Sequence, residues 1–203
     1  MAQQIANSNN TRAAKCTIVL GFNGTGKTTY LRNTLLALWL HARKQGERLK
    51  ILVVTPDDAE WTDFPENLLQ TADDYVFDGI QRHIWDDERT LDAIMEFKKG
   101  IIVFDDCRYY LKANTDPRIK ALLIRRRQRE VDVFAVGHGF TEVPPVFFTF
   151  YSDAILFRTV DNIDRRKDCI NNFAYFKQKQ AEVNRHAQRD PHYHIRIQQT
   201  DGQ

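Results

Sequence analysis

Residues 21 to 28 read Gly21-Phe22-Asn23-Gly24-Thr25-Gly26-Lys27-Thr28, which satisfies the spacing G-x-x-x-x-G-K-[ST]. The apolar run Cys16-Thr17-Ile18-Val19-Leu20 precedes it, and a helix-competent stretch follows. Glycines let a backbone curl until several N–H groups converge on phosphate oxygens, a lysine at this place neutralises the terminal phosphates, and the Thr28 hydroxyl holds Mg²⁺. A strand in front and a helix behind distinguish such a loop from a chance glycine-rich turn. The expected ligand is ATP with Mg²⁺, cradled by Gly21 through Thr29. Within the loop, Asn23 and Thr25 are expected to shape the turn rather than touch ligand, and Thr29 is a neighbour of the metal ligand, not a substitute for it.

A second group of chemistry-bearing residues follows the continuous apolar run Ile101-Ile102-Val103-Phe104, which ends in Asp105-Asp106. This is the pattern of a Walker B strand: Asp105 would join the Mg²⁺ shell, and Asp106 would orient or deprotonate an attacking water. His138 stands at the tip of the run Val131 to Val136, either as a sensor of the terminal phosphate or as a strand-end histidine bonded to backbone. Arg125-Arg126-Arg127-Gln128-Arg129 closes a helix. Cations there match the helix dipole, yet four arginines in five positions exceed what capping needs. The sharper reading is an arginine finger donated across a subunit interface, Arg127 first and Arg126 second, a contribution of about 10³–10⁵ in rate. Arg108, Tyr109, Tyr110 and Lys112 interleave cations with aromatics, which suits DNA phosphate contact and base or sugar packing, and equally suits a snorkelling surface turn. His186, His192 and His194 lack a fourth placed ligand for a metal centre.

The elements that must position these residues alternate. A strand over about 16–21 leads through the loop into a helix from Lys27 to about Lys44, with Leu31, Leu35, Leu38, Trp39 and Ala42 on one face and Gly46 as its stop. Leu49 to Val54 reads as a second buried strand ending at Thr55-Pro56-Asp57-Asp58. Residues 56–85 suggest one or two short strands and a connecting excursion. Asp86 and Asp87 offer the cap of a helix running to Lys99, with Leu91, Ile94 and Met95 inward and Gly100 as its stop. Asp116-Pro117 opens the arginine-bearing helix, Val131 to Val136 and Ala154 to Phe157 are further strands, residues 161–187 read as helical, and His192 to Gln198 alternates like an edge strand. The alternation implies an α/β, three-layer arrangement with a mostly parallel sheet and right-handed crossovers, and with the phosphate loop the expected fold is a P-loop NTPase of the RecA/ASCE-like type.

Composition bounds the rest. At 203 residues with 42% hydrophobic and 28% charged residues, one domain with a full core fits and a second does not. The expected division is a mobile polar arm over 1–14 and a single ATPase domain over 15–203, with a C-terminal extension from about 161. A net charge of +2 argues neither for nor against nucleic acid. Cys16, Cys107 and Cys169 have no metal or disulfide spacing, which suits buried thiols in a reducing compartment. No stretch approaches the roughly 20 apolar residues of a membrane span. The product is expected to be soluble and intracellular, cytoplasmic or carried with a virion, and not secreted.

With the phosphate loop, the Asp105-Asp106 strand, the Arg127 helix end and the segment Val131-Asp-Val-Phe-Ala-Val-Gly-His138 in this order, the chain resembles the FtsK/HerA superfamily of P-loop ATPases, and within it the compact viral genome-packaging branch. The resemblance covers roughly residues 15 to 160, including Pro144-Pro145 and Ala154-Ile155-Leu156-Phe157-Arg158. It implies a homo-oligomeric ring, a hexamer, that hydrolyses ATP to move double-stranded DNA into a capsid through its portal vertex, with Arg127 as the finger. Two departures stand out: the family usually has Glu where this chain has Asp106, and Gln where it has His138. Zot-like proteins of filamentous phage share the core but usually carry a membrane span. A small-molecule or nucleoside P-loop kinase, and a nucleotide switch that is not a motor, remain the alternatives.

Overall fold

The computed structural model describes residues 14–86, 88–111 and 116–200. All of the expected arm over 1–14 but Ala14, the cap at Asp87 and the DNA contact at Lys112 lie outside these residues.

Five consecutive buried residues form the strand β1 (Cys16–Leu20), and its side chains alternate between two cores: Cys16, Ile18 and Leu20 enter one, Val19 the other. The same alternation recurs in β2 (Lys50–Thr55), β4 (Gly100–Phe104) and β5 (Val131–Gly137). Strands apolar on both faces are the signature of a parallel sheet covered on both sides. With β3 (Gly79–Ile84), β6 (Asp153–Leu156) and β7 (Ile195–Gln198), seven strands lie in the order β3-β2-β4-β5-β1-β6-β7. All neighbouring pairs are parallel except β6 with β7. This is the α/β P-loop NTPase architecture that the motif order predicts.

One face is covered by α1 (Lys27–Lys44) through Leu31, Leu35 and Ala42, together with Trp61 from the long β2–β3 connection. Gly46 does close this helix, with Glu47 N–H donating to the Ala42 carbonyl at 3.0 Å in a Schellman arrangement. The other face is covered by α2 (Glu88–Ile94), α4 (Pro117–Arg129), α5 (Pro145–Phe150) and α6 (Phe173–His186), through Leu91, Leu122, Phe147 and Phe176 among others. Asp116 caps α4 as expected, its carboxylate accepting from Arg118 N–H at 2.8 Å with Pro117 at the first helical position. Burial pushes the Cys16 thiol up to about 12, so it is no thiolate at neutral pH.

Several boundaries differ from expectation, among them the edge strand, which begins at Ile195 rather than His192. The helix after Asp86 ends at Ile94 rather than Lys99, because Phe97 turns fully into the core and the chain tightens through Phe97 N–H to the Ile94 carbonyl at 3.0 Å. Gly100 is therefore no helix stop: it opens β4, where a Cβ would lie 2.5 Å from the Lys50 carbonyl oxygen. The region 161–187 is helical only in two pieces, a 3₁₀ turn over Ile163–Arg166 and α6, since the Arg166 guanidinium is held by the carbonyls of Phe140, Thr141 and Val143 and Asn172 takes a left-handed conformation before the second piece starts. In the opaque stretch 56–85 only one strand forms, at 79–84, and Tyr75 ends a 3₁₀ turn instead.

A candidate nucleotide site at the carboxyl edge of the sheet

The register aligns Leu20 with Gly137 and Phe104 with Ala135, so the tips of β1, β5 and β4 stand side by side at one edge. From these tips hang the phosphate loop, His138 and Asp105-Asp106. The crossover through α1 to β2 leaves β4 and β5 on one side of β1 and β6 on the other, which opens a crevice at the place where α/β sheets bind ligands. A cleft of about 570 Å³ fills it, lined by Gly24, Lys27, Thr28 and Thr29 from the loop side and by Asp57, Glu60, Asp105, Asp106 and His138 opposite.

The loop is shaped by its own backbone. Gly24 and Gly26 have φ of +76° and +92°, values that L side chains rarely adopt, and Gly26 caps α1 without any side-chain bond. The first-turn amides of the helix are thus left facing the cleft, as anion binding requires. Thr25 Oγ1 donates to the Phe22 carbonyl at 2.8 Å, so this side chain folds the turn. Gly21 N–H is anchored to the Gly137 carbonyl at 3.2 Å and Phe22 N–H to that of Arg158 at 2.7 Å, while Phe22 and Asn23 are exposed.

Lys27 is only 8% exposed, and its ammonium donates to the Phe22 carbonyl and to His138 Nδ1, both at 3.2 Å. Burial lowers its pKa, and the charges of Asp105, Asp106 and Glu142 oppose that shift. An ammonium has no lone pair to offer, so Nδ1 is the acceptor and Nε2 of neutral His138 carries the hydrogen. That nitrogen lies 3.7 Å from Asp106 Oδ2. The His138 contact is the largest influence holding the Asp106 carboxyl below its ordinary range, against the opposing effect of burial. The other oxygen, Oδ1, is buried without a hydrogen-bond partner. Asp106 itself sits in the left-handed region with φ 47°.

Asp105 is held differently. Its Oδ2 accepts from the Trp61 indole at 2.6 Å and its Oδ1 from Asp106 N–H at 3.1 Å, while burial raises its pKa. Trp61 is fully buried with φ 58°, a strained conformation for a bulky residue that costs on the order of 1–3 kcal/mol and persists where surrounding contacts enforce it. Arg32 lies over its ring at 4.9 Å from the centroid.

Glu142 joins the cluster from the other side: Oε2 accepts from His138 N–H at 3.0 Å and Oε1 pairs with Arg108 at 2.9 Å. Donor atoms of Asp106, His138 and Glu142 come within 4.8 Å of one another, but the Lys27 ammonium beside His138 already supplies the positive charge there. Arg108 and Tyr109 are exposed on the short helix α3 (Cys107–Tyr110), Tyr109 at 68%. Tyr110 closes the same helix.

The two arginine candidates part company. Arg126 is buried, its guanidinium donating to the Leu123 carbonyl at 2.6 Å and lying 5.8 Å from the centroid of the Phe150 ring, so it is spent on packing α4 against α5 and is not presented to a neighbour. This corrects its reading as a finger. Arg129 likewise bonds the Met95 carbonyl within its own subunit. Arg127 is exposed, at the sheet edge where β5 begins and opposite the edge that carries the cleft.

Trp61, Glu60 and Glu142 went unread in the sequence. No spacing rule ties an acid or a tryptophan in an irregular connection to a strand tip, although Glu142 lies four residues past His138. His186, His192 and His194 are dispersed: His186 stacks on Tyr193, His194 on Phe157, and His192 lines the cleft.

No protein-family model matches the chain, and no curated protein matches its sequence. Solved structures do. The genome packaging NTPase B204 of Sulfolobus turreted icosahedral virus 2, in complex with AMPPCP, aligns with a TM-score of 0.69 at 12% identity over 93% of this chain and 94% of that one. Its complex with AMP aligns with a TM-score of 0.68 at 14% identity, over 93% and 96% of the two chains. This chain has the fold of that NTPase. B204, the DNA-packaging ATPase from Sulfolobus turreted icosahedral virus, aligns at 0.61 with 16% identity, over 81% of this chain and 86% of that one. The resemblance to packaging ATPases read from motif order thus holds at the level of the fold. Among the described residues no helix is long and apolar enough to cross a membrane.

Proposed function

We propose that this chain is an ATP-hydrolysing motor that forms a ring, a hexamer as the resemblance to the FtsK/HerA superfamily implies, and moves double-stranded DNA into a viral capsid at the portal vertex. Its place would be the cytoplasm of the infected cell or the virion. The observation that carries the reading is the convergence of Lys27, His138 and Asp106 in one cleft, where the Asp106 carboxylate would meet the attacking water. Lys27 and the first-turn amides would bind the phosphates, and Asp106 would position the attacking water.

The Thr28 hydroxyl and the Asp105 carboxylate suit Mg²⁺: both are hard oxygen donors lining the cleft, and burial raises the pKa of Asp105, a penalty that a cation would offset. When bound, the ion would neutralise phosphate charge. Arg127 would complete a neighbouring subunit's site, since it stands at the wrong edge to reach its own. The exposed Arg108 and Tyr109, linked through Glu142 to His138, would grip DNA and pass on the state of the nucleotide.

The test measures ATP hydrolysis with and without double-stranded DNA alongside the mass of the assembly. Hydrolysis should rise with DNA, the rise should weaken steeply with salt, and it should appear only in the assembled form. Arg127→Ala should bind ATP normally but turn over about 10³-fold more slowly, and mixing it with an inactive phosphate-loop variant should restore activity, because each supplies what the other lacks. DNA-independent hydrolysis without assembly at any protein concentration would exclude the motor, and phosphate transfer to a small acceptor would make the chain a kinase.

Trp61→Phe should keep the packing but lose the indole donor to Asp105. Hydrogen bonds to charged groups contribute about 1.5–3 kcal/mol, so the Mg²⁺ concentration for half-maximal hydrolysis should rise roughly tenfold or more. The Trp61 bond lowers the Asp105 pKa, so its loss raises that pKa further and the metal must compete with a proton. The defect should therefore be larger at pH 6 than at pH 8 in a magnesium titration of activity.

A further inference from the structure

The cleft has two walls of separate origin. The acids and His138 come from the tips of β4 and β5, while on the other side of β1 lie β6 and β7. Along that second side the chain returns from α6 and meets the phosphate loop 167 residues downstream, where His192 Nδ1 lies 3.2 Å from the Thr25 carbonyl oxygen. A Cβ placed on Gly26 would come within 2.9 Å of the same nitrogen.

His192 is fixed from both sides. Its N–H donates to Asp190 Oδ1 at 3.0 Å, and its carbonyl faces His194 Nδ1 at 3.0 Å. The His194 ring in turn stacks on Phe157, with centroids 4.7 Å apart, and meets Tyr30 edge-on at 4.8 Å. One residue later β7 begins its antiparallel pairing with β6. The Thr25 carbonyl can only accept, so Nδ1 carries the hydrogen and Nε2 of the neutral ring is the acceptor.

The direction of a bound triphosphate follows from Lys27. Its ammonium sits on the side of His138 and Asp106, so the terminal phosphate of a bound nucleotide would point toward β4 and β5 and the chain of phosphates would cross Gly26 in the opposite direction. The nucleoside end would then emerge where His192 lines the cleft. We propose that His192 contacts the nucleoside moiety of the bound nucleotide and makes the site prefer a nucleoside triphosphate over bare polyphosphate: its ring packs against the base or sugar, and Nε2 accepts from a sugar hydroxyl or an exocyclic amine. The inference rests on the nucleotide-binding reading of the loop.

The test titrates the full chain with ATP and with inorganic tripolyphosphate by calorimetry, in wild type, His192→Ala, His192→Asn and Lys27→Met. Asparagine keeps a side-chain N–H for the Thr25 carbonyl and removes the ring. Both His192 variants should bind ATP about tenfold more weakly while binding tripolyphosphate as wild type does. Unchanged ATP affinity in both, recovery in the Asn variant, or equal weakening of the two ligands would overturn the inference and leave His192 as a brace of the loop. Lys27→Met reports separately: if it binds ATP normally, the reading of the loop itself has failed, whereas a loss there with no ATP-selective loss at His192 sinks only the nucleoside contact.

Discussion

Replacing Lys27 by Met should abolish the nucleotide-dependent rise in thermal stability while leaving the unliganded protein folded and slightly more stable than wild type. The two effects have separate causes. Removing one partner of a desolvated charge pair costs on the order of 2–5 kcal/mol in binding, roughly a thirtyfold to several-thousandfold loss of ATP affinity. The stability effect has the opposite sign. Burial is the largest influence on Lys27 and lowers its pKa in spite of the nearby Asp105, Asp106 and Glu142. A lysine whose folded pKa is depressed is charged at a cost in the native state, and below that folded pKa the cost is present in full because both states are protonated. Methionine has a similar reach and no charge, so the cost disappears. Thermal melts with and without ATP would check both halves, and an unliganded variant that melts well below wild type would mean that the ammonium holds the loop together instead.

Much of this site was legible because each part obeys a local rule. A glycine-rich turn between a strand and a helix has few physical uses, and an apolar run that ends in two carboxylates reads as a buried strand with its tip at a ligand edge. The strands followed from continuous apolar runs, and the parallel sheet from their alternation with helices. What escaped were features that depend on tertiary approach. Gly100 looks like a helix stop in sequence and is a strand residue chosen for the closeness of the Lys50 carbonyl. Arg126 and Arg127 are adjacent and of one type, yet the turn of α4 buries the first against Phe150 and exposes the second. The irregular connection after β2 hides a tryptophan that holds a carboxylate 44 residues away.

The same limit applies to the histidines. His138 is legible because it follows a strand, whereas the place of His192 is not, because the edge strand after it is short and the loop it meets is far off in sequence. What the structure adds is a set of linked contacts beside the phosphate loop. Arg108 pairs with Glu142, Glu142 holds the backbone of His138, and His138 stands between Lys27 and Asp106. A phosphate that draws Lys27 away from His138 would therefore disturb an ion pair on the outer surface, the physical form that coupling between ATP and a DNA grip would take.

Asp106→Asn should bind ATP close to normally and lose about 10²–10⁴-fold in turnover, the usual contribution of a positioned general base. Asparagine tolerates the left-handed backbone at this position as well as aspartate does, so the loop into α3 should keep its course. What disappears is the negative charge facing His138 and one of the two carboxylate acceptors, which becomes an NH2 donor. The His138 contact holds the Asp106 carboxyl below its ordinary range, so any acid limb that this group gives wild-type turnover should lie lower in pH than that of an ordinary aspartate. Its contribution to stability should likewise be complete above the ordinary value and be lost as pH falls through the depressed one. Asp106→Glu restores the carboxylate one methylene further into the cleft and should recover turnover, as a purely structural role would not require. If Asp106→Asn instead turns over ATP at the wild-type rate, the base lies elsewhere, and Glu60, the remaining glutamate in the cleft lining, becomes the residue to replace by Gln.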